Sequence, residues 1–253
     1  MSNYTQKNKE CIERWITQYG LAWARPITHE EYVAAQQGEY AMKLTPVRTI
    51  PKAWIGDVRG KSVLGLAAGG GQQMPLLTAC GARCTVLDIS EVQLAAERAV
   101  AQREGYDITV IAGDMTAPLP FSDGTFDMIV HPVSNHYVQK VEPIFRECFR
   151  VLKPGGVLLC GLDTGIYWAF DLENEGSLKN ILPFDPLTNA QQRAYCEEQD
   201  MGLQFSHTLE EQLGGQLRAG FVLIDLYEDT NGAGAFHEHN VPTFIATRAQ
   251  KPL

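Results

Sequence analysis

Between residues 61 and 162 the apolar positions fall into short runs, separated by stretches with helical spacing. Val63, Leu64 and Leu66 make the first run, and Arg83-Cys-Thr-Val-Leu-Asp88 carries the second. Ile108, Val110 and Ile111 form the third, Phe126-Asp-Met-Ile-Val130 the fourth and Val157–Leu162 the fifth. Runs this short, bounded by turn residues, read as buried strands. The stretches between them read as helices. Gln72–Cys80 is closed by Gly81, with Pro75 near its start. A second helix opens on Ser90-Glu-Val-Gln93, turns Val92, Ala95, Ala96 and Ala99 inward, and ends at Gly105. A third turns Ile144, Phe145, Cys148, Phe149 and Leu152 inward and stops at Lys153-Pro-Gly-Gly156. Strands alternating with helices predict a doubly wound, mostly parallel α/β sheet. Phe221–Tyr227 and Val241–Arg248 add two strands. Their connection is too short for a crossover helix, so the last pair is antiparallel.

The rest of the chain reads differently. Residues 8–19 place Cys11, Ile12, Trp15, Ile16 and Tyr19 on one helical face, and Thr28-His-Glu-Glu31 is a capping box for a second helix. Residues 1–60 therefore form a helical cover. The linker 41–60, with Pro46, Pro51 and Gly56, lays it onto a main domain of residues 61–253. Trp15, Tyr19 and Trp23 suit both plain helix packing and a roof over a cleft. Residues 164–205 follow no single period: Tyr167, Trp168 and Phe170 precede Asp171, Glu173 and Glu175, then Pro183 and Pro186. An insertion leaving the carboxyl end of strand five is expected to be a lid that roofs the acceptor site together with the N-terminal helices, with its aromatic residues lining an apolar pocket. Thr208-Leu-Glu-Glu211 opens a last helix with Leu209, Leu213 and Leu217 inward. Gly214-Gly215 inside it predicts close backbone packing.

Composition narrows the function. A formal net charge of −9 disfavours nucleic acid as the main partner. The polar start MSNYTQKNKE predicts no signal peptide, and no apolar run is long enough to span a membrane. The 6 cysteines contain no Cys-x-x-Cys pair, so they read as thiols of a reducing, cytoplasmic compartment. His237-Glu-His239 lacks further ligands and reads as a solvated loop, so no metal is expected.

The candidate chemistry lies at the carboxyl ends of the strands, where ligands of such sheets bind. After strand one comes the turn Ala67-x-Gly69-x-Gly71, whose glycines would let a ligand approach the backbone and meet free N–H groups. No Gly-Lys-Ser/Thr follows, which disfavours nucleoside triphosphates. Asp88 ends strand two, 17 residues after Gly71, where an acid can accept from both ribose hydroxyls. Asp114 follows strand three and His131 ends strand four. His131 and His136 are the candidate catalytic bases, against the alternative of hydrogen-bonding or packing residues.

The stretches VLGLAAGGG (63–71), VLDIS (86–90), GDM (113–115), FDMIVHPVSNHYV (126–138), VLKPGGVLL (151–159) and the AGF-plus-antiparallel ending (219–248) resemble the class I S-adenosylmethionine (SAM)-dependent methyltransferases. GGGQQ, HPVSN and HTLEEQLGGQL (207–217) also look like a bacterial subgroup whose substrate is undefined. The resemblance implies a seven-stranded sheet with an antiparallel last strand, SAM as cofactor and methyl transfer as the activity. It places the methionine part of SAM over Ala67, Gly69 and Gly71. It places the ribose on Asp88, with Ile89 against the adenine, and the adenine amino group on Asp114, with Met115 beside the ring. The backbone at His131 would close the methionine end. Gly65 stands where the family commonly has an acid, and Ala67 where it commonly has its first glycine. The missing Asn/Asp-Pro-Pro-Tyr/Phe run and the lack of a Pro-Cys nucleophile argue against a DNA base methyltransferase. The acceptor is therefore expected to be a small molecule. The alternatives are a SAM-binding protein without catalysis and a nicotinamide-dependent dehydrogenase, the latter disfavoured by GDM, KPGG and the antiparallel ending.

Overall fold

Seven strands of the described residues join in one sheet: β1 (Ser62–Leu66), β2 (Arg83–Asp88), β3 (Thr109–Ala112), β4 (Phe126–His131), β5 (Leu152–Asp163), β6 (Val222–Asp229) and β7 (Phe244–Gln250). Their order is β3-β2-β1-β4-β5-β7-β6. This computed structural model describes residues 3–171 and 176–253, so Glu173 and Glu175 of the expected lid lie outside it. β2, β1, β4 and β5 pair in parallel, and β7 enters antiparallel between β5 and β6. The strand order reverses at β1 and β4, which places a ligand crevice beyond their carboxyl ends. One expectation shifts: Lys153–Gly156 does not precede β5 but bulges out of it. Leu152 pairs with Phe126 and Val157 with Met128, and Gly155 takes φ +77° inside the bulge.

The period-2 alternation of the strands divides the core. Val63, Val86, Met128, Val130 and Leu159 face α4 (Gln73–Ala79), α5 (Glu91–Glu104) and the short α3 (Lys52–Ile55). Leu64, Leu87, Ile129, Leu158 and Cys160 face α6 (Glu142–Val151), which contributes Ile144, Phe145, Cys148 and Val151. Each such fully buried leucine or phenylalanine contributes about 1.5–3 kcal/mol before the ordering entropy is set against it.

A third apolar cluster stands outside the sheet. Trp168, Phe184, Tyr195, Cys196, Met201, Leu203 and Phe205 pack together, with Tyr4 and Trp15 of α1 (Asn3–Tyr19) against them. The insertion, including α7 (Ala190–Glu198), therefore builds its own small core and uses it to seat α1. α2 (His29–Gln36) carries the expected capping box, with Thr28 Oγ1 accepting from Glu31 N–H and Glu31 returning the bond.

Two helical faces differ from the sequence expectation. α5 buries Gln93, Leu94, Glu97, Val100 and Ala101, while Ala95 and Ala99 are exposed. Its alanines set no strong phase, and the inward face is partly polar because it backs the glycine turn. The last helix is a π-turn (Glu210–Gly214) running into α8 (Gly215–Arg218). Leu209 and Leu217 are 47% and 53% exposed, whereas Gln212 and Gln216 are fully buried. The close packing expected at the glycine pair is present: a Cβ on Gly215 would sit 3.0 Å from Phe145 Cδ2. His237 lies in a short helix, α9 (Gly234–Glu238), with Nδ1 2.6 Å from Thr230 Oγ1. No group of three metal-ligating side chains occurs among the described residues. No helix among them is long and apolar enough to cross a membrane.

Candidate active site

A cavity of about 810 Å³ opens at the carboxyl ends of β1, β2, β3 and β4. One wall comes from the sheet: Ala67, Ala68 and Gly69, then Asp88 and Ile89, then Gly113, Asp114 and Met115. These are strand-end positions singled out from sequence; of the others, Gly71 and His131 do not reach the cavity.

The turn after β1 is held from behind rather than left with free donors. Ala67 takes φ +49° and donates its N–H to Leu87 O at 2.8 Å. Gly69 N–H donates to Asp88 Oδ2 at 3.0 Å, Gly70 N–H to Gln93 O at 2.9 Å and Gly71 N–H to Glu97 Oε2 at 2.7 Å. Gly71 sits so close to α5 that a Cβ would meet Val100 Cγ2 at 2.7 Å. It is a packing glycine, and its carbonyl accepts from Ile27 N–H at 2.9 Å. A Cβ on Gly65 would lie 2.9 Å from Met74 Cγ and 3.2 Å from Ala68 Cβ, so both pack into the space where relatives commonly carry an acid.

Asp88 is buried, with Oδ1 accepting from Ser90 N–H at 2.9 Å and Oδ2 from Gly69 N–H. Burial pushes its carboxyl above the ordinary value, against the pull of the Ser90, Gly69 and Ile89 N–H groups. A carboxylate offers about four acceptor positions, so this bracing still leaves it capacity toward a ligand hydroxyl. Asp114 Oδ1 accepts from Thr116 N–H at 2.9 Å and Thr116 Oγ1 at 2.7 Å. Its other oxygen, Oδ2, is buried and has no hydrogen-bond partner. An orphaned acceptor on the cavity wall asks for a ligand N–H. That need, the remaining acceptor capacity of Asp88 and the apolar Ile89 and Met115 are compatible with SAM.

The two histidines separate. The His131 ring is fully buried away from the cavity, Nδ1 2.9 Å from Leu66 O and Nε2 2.8 Å from Asn135 Oδ1. Both nitrogens are engaged, and burial pushes its pKa down. His131 therefore staples the end of β4 to the end of β1, and the expectations of a base and of a cavity contact at 131 are both corrected. Its neighbours Pro132, Val133 and Ser134 reach the cavity instead. His136, in the turn Asn135–Tyr137, lines the cavity, and its ring makes no hydrogen bond among the described residues. Burial, helped by the nearby His207, pushes its pKa down to about 3. The ring is therefore neutral at physiological pH.

The second wall is largely apolar; the N-terminal cover was expected in it, whereas residues 41–46, Val138 and Phe244 were missed from sequence. Ile12, Trp23 and Ile27 come from the cover, Met42, Leu44 and Pro46 from the linker, and Val133, Val138 and Phe244 from the sheet side. Thr5 and Asn8 of α1 join them, with Lys43 exposed among them. None of the described residues of 164–205 contributes to the lining. The expected lid is corrected: α1 and residues 41–46 roof the cavity, and Trp168 stacks on Phe184 at 5.3 Å instead of lining it. The insertion holds the roof from outside. Asn8 Oδ1 accepts from Leu203 N–H at 2.7 Å, and Asn8 Nδ2 donates to Leu203 O at 2.8 Å and Tyr137 O at 2.9 Å. Trp15 Nε1 donates to Asp200 O at 3.0 Å, and Arg14 pairs with the Asp200 carboxylate. On the other side Gln72 Nε2 donates to Trp23 O at 2.5 Å and Arg25 O at 3.0 Å.

Residues 64–160 match a family model described as a methyltransferase domain. The chain is 38% identical to the uncharacterized methyltransferase YbaJ of Bacillus subtilis, over 92% of each chain. It is 32% identical to a demethylmenaquinone methyltransferase of Lactococcus lactis, over 78% of this chain and 77% of that protein. Among solved structures, an S-adenosylmethionine-dependent methyltransferase from Mesorhizobium loti superposes with a TM-score of 0.63 at 21% identity. That likeness covers 79% of this chain and 94% of the other, and it speaks to the fold.

Proposed function

The chain belongs to the class I SAM-dependent methyltransferases, and from that premise we propose that its acceptor is a small, largely apolar ring compound carrying a hydroxyl. The observation that carries this reading is the composition of the second wall. Ile12, Ile27, Met42, Leu44, Val133 and Phe244 face the same cavity as the cofactor wall, with Lys43 as the cation among the lining residues. A polyanionic substrate would find little to hold it there. A flat apolar body would gain from leaving water. The Lactococcus lactis relative is named for a quinone, and a Gibberella zeae relative, 33% identical over 61% of this chain, is named a sterol 24-C-methyltransferase. Both names are consistent with an apolar ring acceptor.

SAM, when bound, supplies a methyl group already activated on a sulfonium. The protein's part is alignment and the exclusion of water. Asp88 and Asp114 would fix the two ends of the adenosine, while Ala67–Gly69 bring the backbone close to the methionine. α1 and residues 41–46 would close the acceptor side. The neutral His136 imidazole would accept the hydrogen bond of the acceptor hydroxyl. With its pKa held near 3 it is a weak proton acceptor, so its role is orientation more than full deprotonation. The test is formation of S-adenosylhomocysteine by the purified protein with reduced demethylated quinones, simple phenols and sterols, beside RNA, DNA and protein as controls. Turnover is expected with a ring compound. Turnover confined to a polymer would overturn the reading.

A further inference from the structure

We propose that Glu97 is a positioning residue for the cofactor loop, whose buried carboxylate favours the cationic cofactor over the neutral product and releases a proton to solvent when SAM binds. The inference rests on SAM as cofactor and is independent of the acceptor.

Three observations carry it. First, Glu97 is completely buried on α5, and its Oε2 receives the Gly71 N–H at 2.7 Å, at the end of the turn whose first residues, Ala67, Ala68 and Gly69, line the cofactor wall. Second, its Oε1 is buried without a hydrogen-bond partner, so no cation or donor neutralises it. Third, position 65 carries no acid, and Met74 and Ala68 pack into the space beside it, a Cβ there meeting Met74 Cγ at 2.9 Å. The carboxyl groups behind this loop are therefore Asp88, on Gly69, and Glu97, on Gly71. Residues 93 and 97, one helical turn apart, make this the loop-bearing face of α5: the main-chain carbonyl of Gln93 accepts from Gly70 N–H, and the Glu97 side chain accepts from Gly71 N–H.

The charged and titratable groups around Glu97 are few. Asp88 raises its pKa from the β2 end, and the Gly71 N–H lowers it. The Tyr106 phenol and the Cys84 thiol lie near enough for the Glu97 charge to push them up, and both are themselves neutral. Burial dominates, and the Glu97 carboxyl is pushed up to about 7. It is thus partly protonated at neutral pH in the free protein. SAM carries a net positive charge, through its sulfonium. S-adenosylhomocysteine, with a neutral sulfur, carries none. A cation arriving in a low-dielectric cavity favours the ionised form of a nearby carboxyl, so the Glu97 proton leaves to buffer as SAM binds. By reciprocity, ionised Glu97 binds SAM more tightly than protonated Glu97, and it gives no such preference to the product.

The experiment is calorimetry of SAM and S-adenosylhomocysteine binding at pH 7 in buffers of different ionisation enthalpy. It is paired with ¹³C NMR titration of the Glu97 carboxyl in the wild-type protein, with and without SAM. The expected result is fractional proton release for SAM and close to none for the product. The Glu97 titration should move to lower pH when SAM is bound. The preference for SAM over product should rise about tenfold between pH 6 and pH 8. In Glu97→Gln, which keeps an acceptor for Gly71 N–H, the release and the pH dependence should vanish while the fold is kept. A merely structural Glu97 would leave both unmoved by the substitution. Equal proton release for the two ligands, or a Glu97 titration unchanged by SAM, would overturn the proposal. Failure of both ligands to bind at any pH would instead overturn the cofactor assignment.

Discussion

Asn8→Ala should detach the roof while leaving the sheet intact. The Asn8 side chain is buried and makes three hydrogen bonds: from Leu203 N–H at 2.7 Å, to Leu203 O at 2.8 Å and to Tyr137 O at 2.9 Å. Alanine removes all three and leaves a buried N–H and two carbonyls without that partner. At about 1 kcal/mol net per bond, the loss comes to about 3 kcal/mol. The bonds tie α1 to the insertion and to the turn after β4, so the loss falls on the docking of α1 and not on global unfolding. About 3 kcal/mol is a factor of about 10² in the opening equilibrium. Native-state hydrogen exchange reads this directly. Amides of α1 and of residues 201–205 should exchange about a hundredfold faster, with β1, β2 and β4 little changed. Asn8→Asp should be worse than alanine, because a carboxylate would face the two carbonyl oxygens that Nδ2 now serves. Unchanged protection of α1 in the alanine variant, or wild-type behaviour of Asn8→Asp, would refute the assignment of Asn8 as the clasp.

Other expected outcomes concern the cofactor wall and the core. Asp114→Ala should weaken SAM about ten- to a hundredfold and should weaken an analogue lacking the adenine amino group less; equal losses in calorimetry would refute the contact. Glu97→Gln should flatten the pH dependence of stability in the ligand-free protein. The folded carboxyl stays protonated to about pH 7, while the unfolded one ionises from its ordinary value of 4.5. Wild-type stability therefore falls as pH rises through that window, by about 3 kcal/mol in all, and the glutamine variant escapes the fall; thermal melts running parallel from pH 4.5 to 8 would contradict this. Gly215→Val should cost about 1–3 kcal/mol and lower the melting temperature, because its Cβ already meets Phe145 Cδ2 at 3.0 Å; an unchanged melting temperature would mean that Phe145 moves aside freely.

What was legible in the sequence, and what was not, divides for two physical reasons. The strands declared themselves because alternate residues feed two separate apolar layers: Val63 goes one way and Leu64 the other, Met128 one way and Ile129 the other. The strand-end positions Asp88 and Asp114 followed from topology, Ile89 and Met115 from the family resemblance, and all four reach the cavity. The failures came where burial and polarity coincide. On α5 the alanines suggested an inward face, yet the chain buries Gln93 and Glu97: the Glu97 carboxylate takes the Gly71 N–H, while the Gly70 N–H goes to the main-chain carbonyl of Gln93. On the last helix the leucine spacing suggested Leu209 and Leu217, yet Gln212 and Gln216 go inside. There Gln212 joins Asn135 and the Asp163 carbonyl, and Gln216 accepts from Thr247. In both helices the buried polar pair is spaced four residues apart. Such a pair on a helix next to irregular backbone is a signal that hydrophobic periodicity cannot register, because it scores those positions as surface. The insertion failed for a different reason. Tyr167, Trp168 and Phe170 are as suited to a core as to a pocket, and composition alone does not say which. What decides it is the supply of apolar partners: Phe184, Tyr195, Leu203 and Phe205 from the same insertion give Trp168 a core of its own. Of the expected roof the N-terminal cover remains, joined by residues 41–46, whose apolar side chains Met42 and Leu44 sit where the chain crosses from cover to sheet.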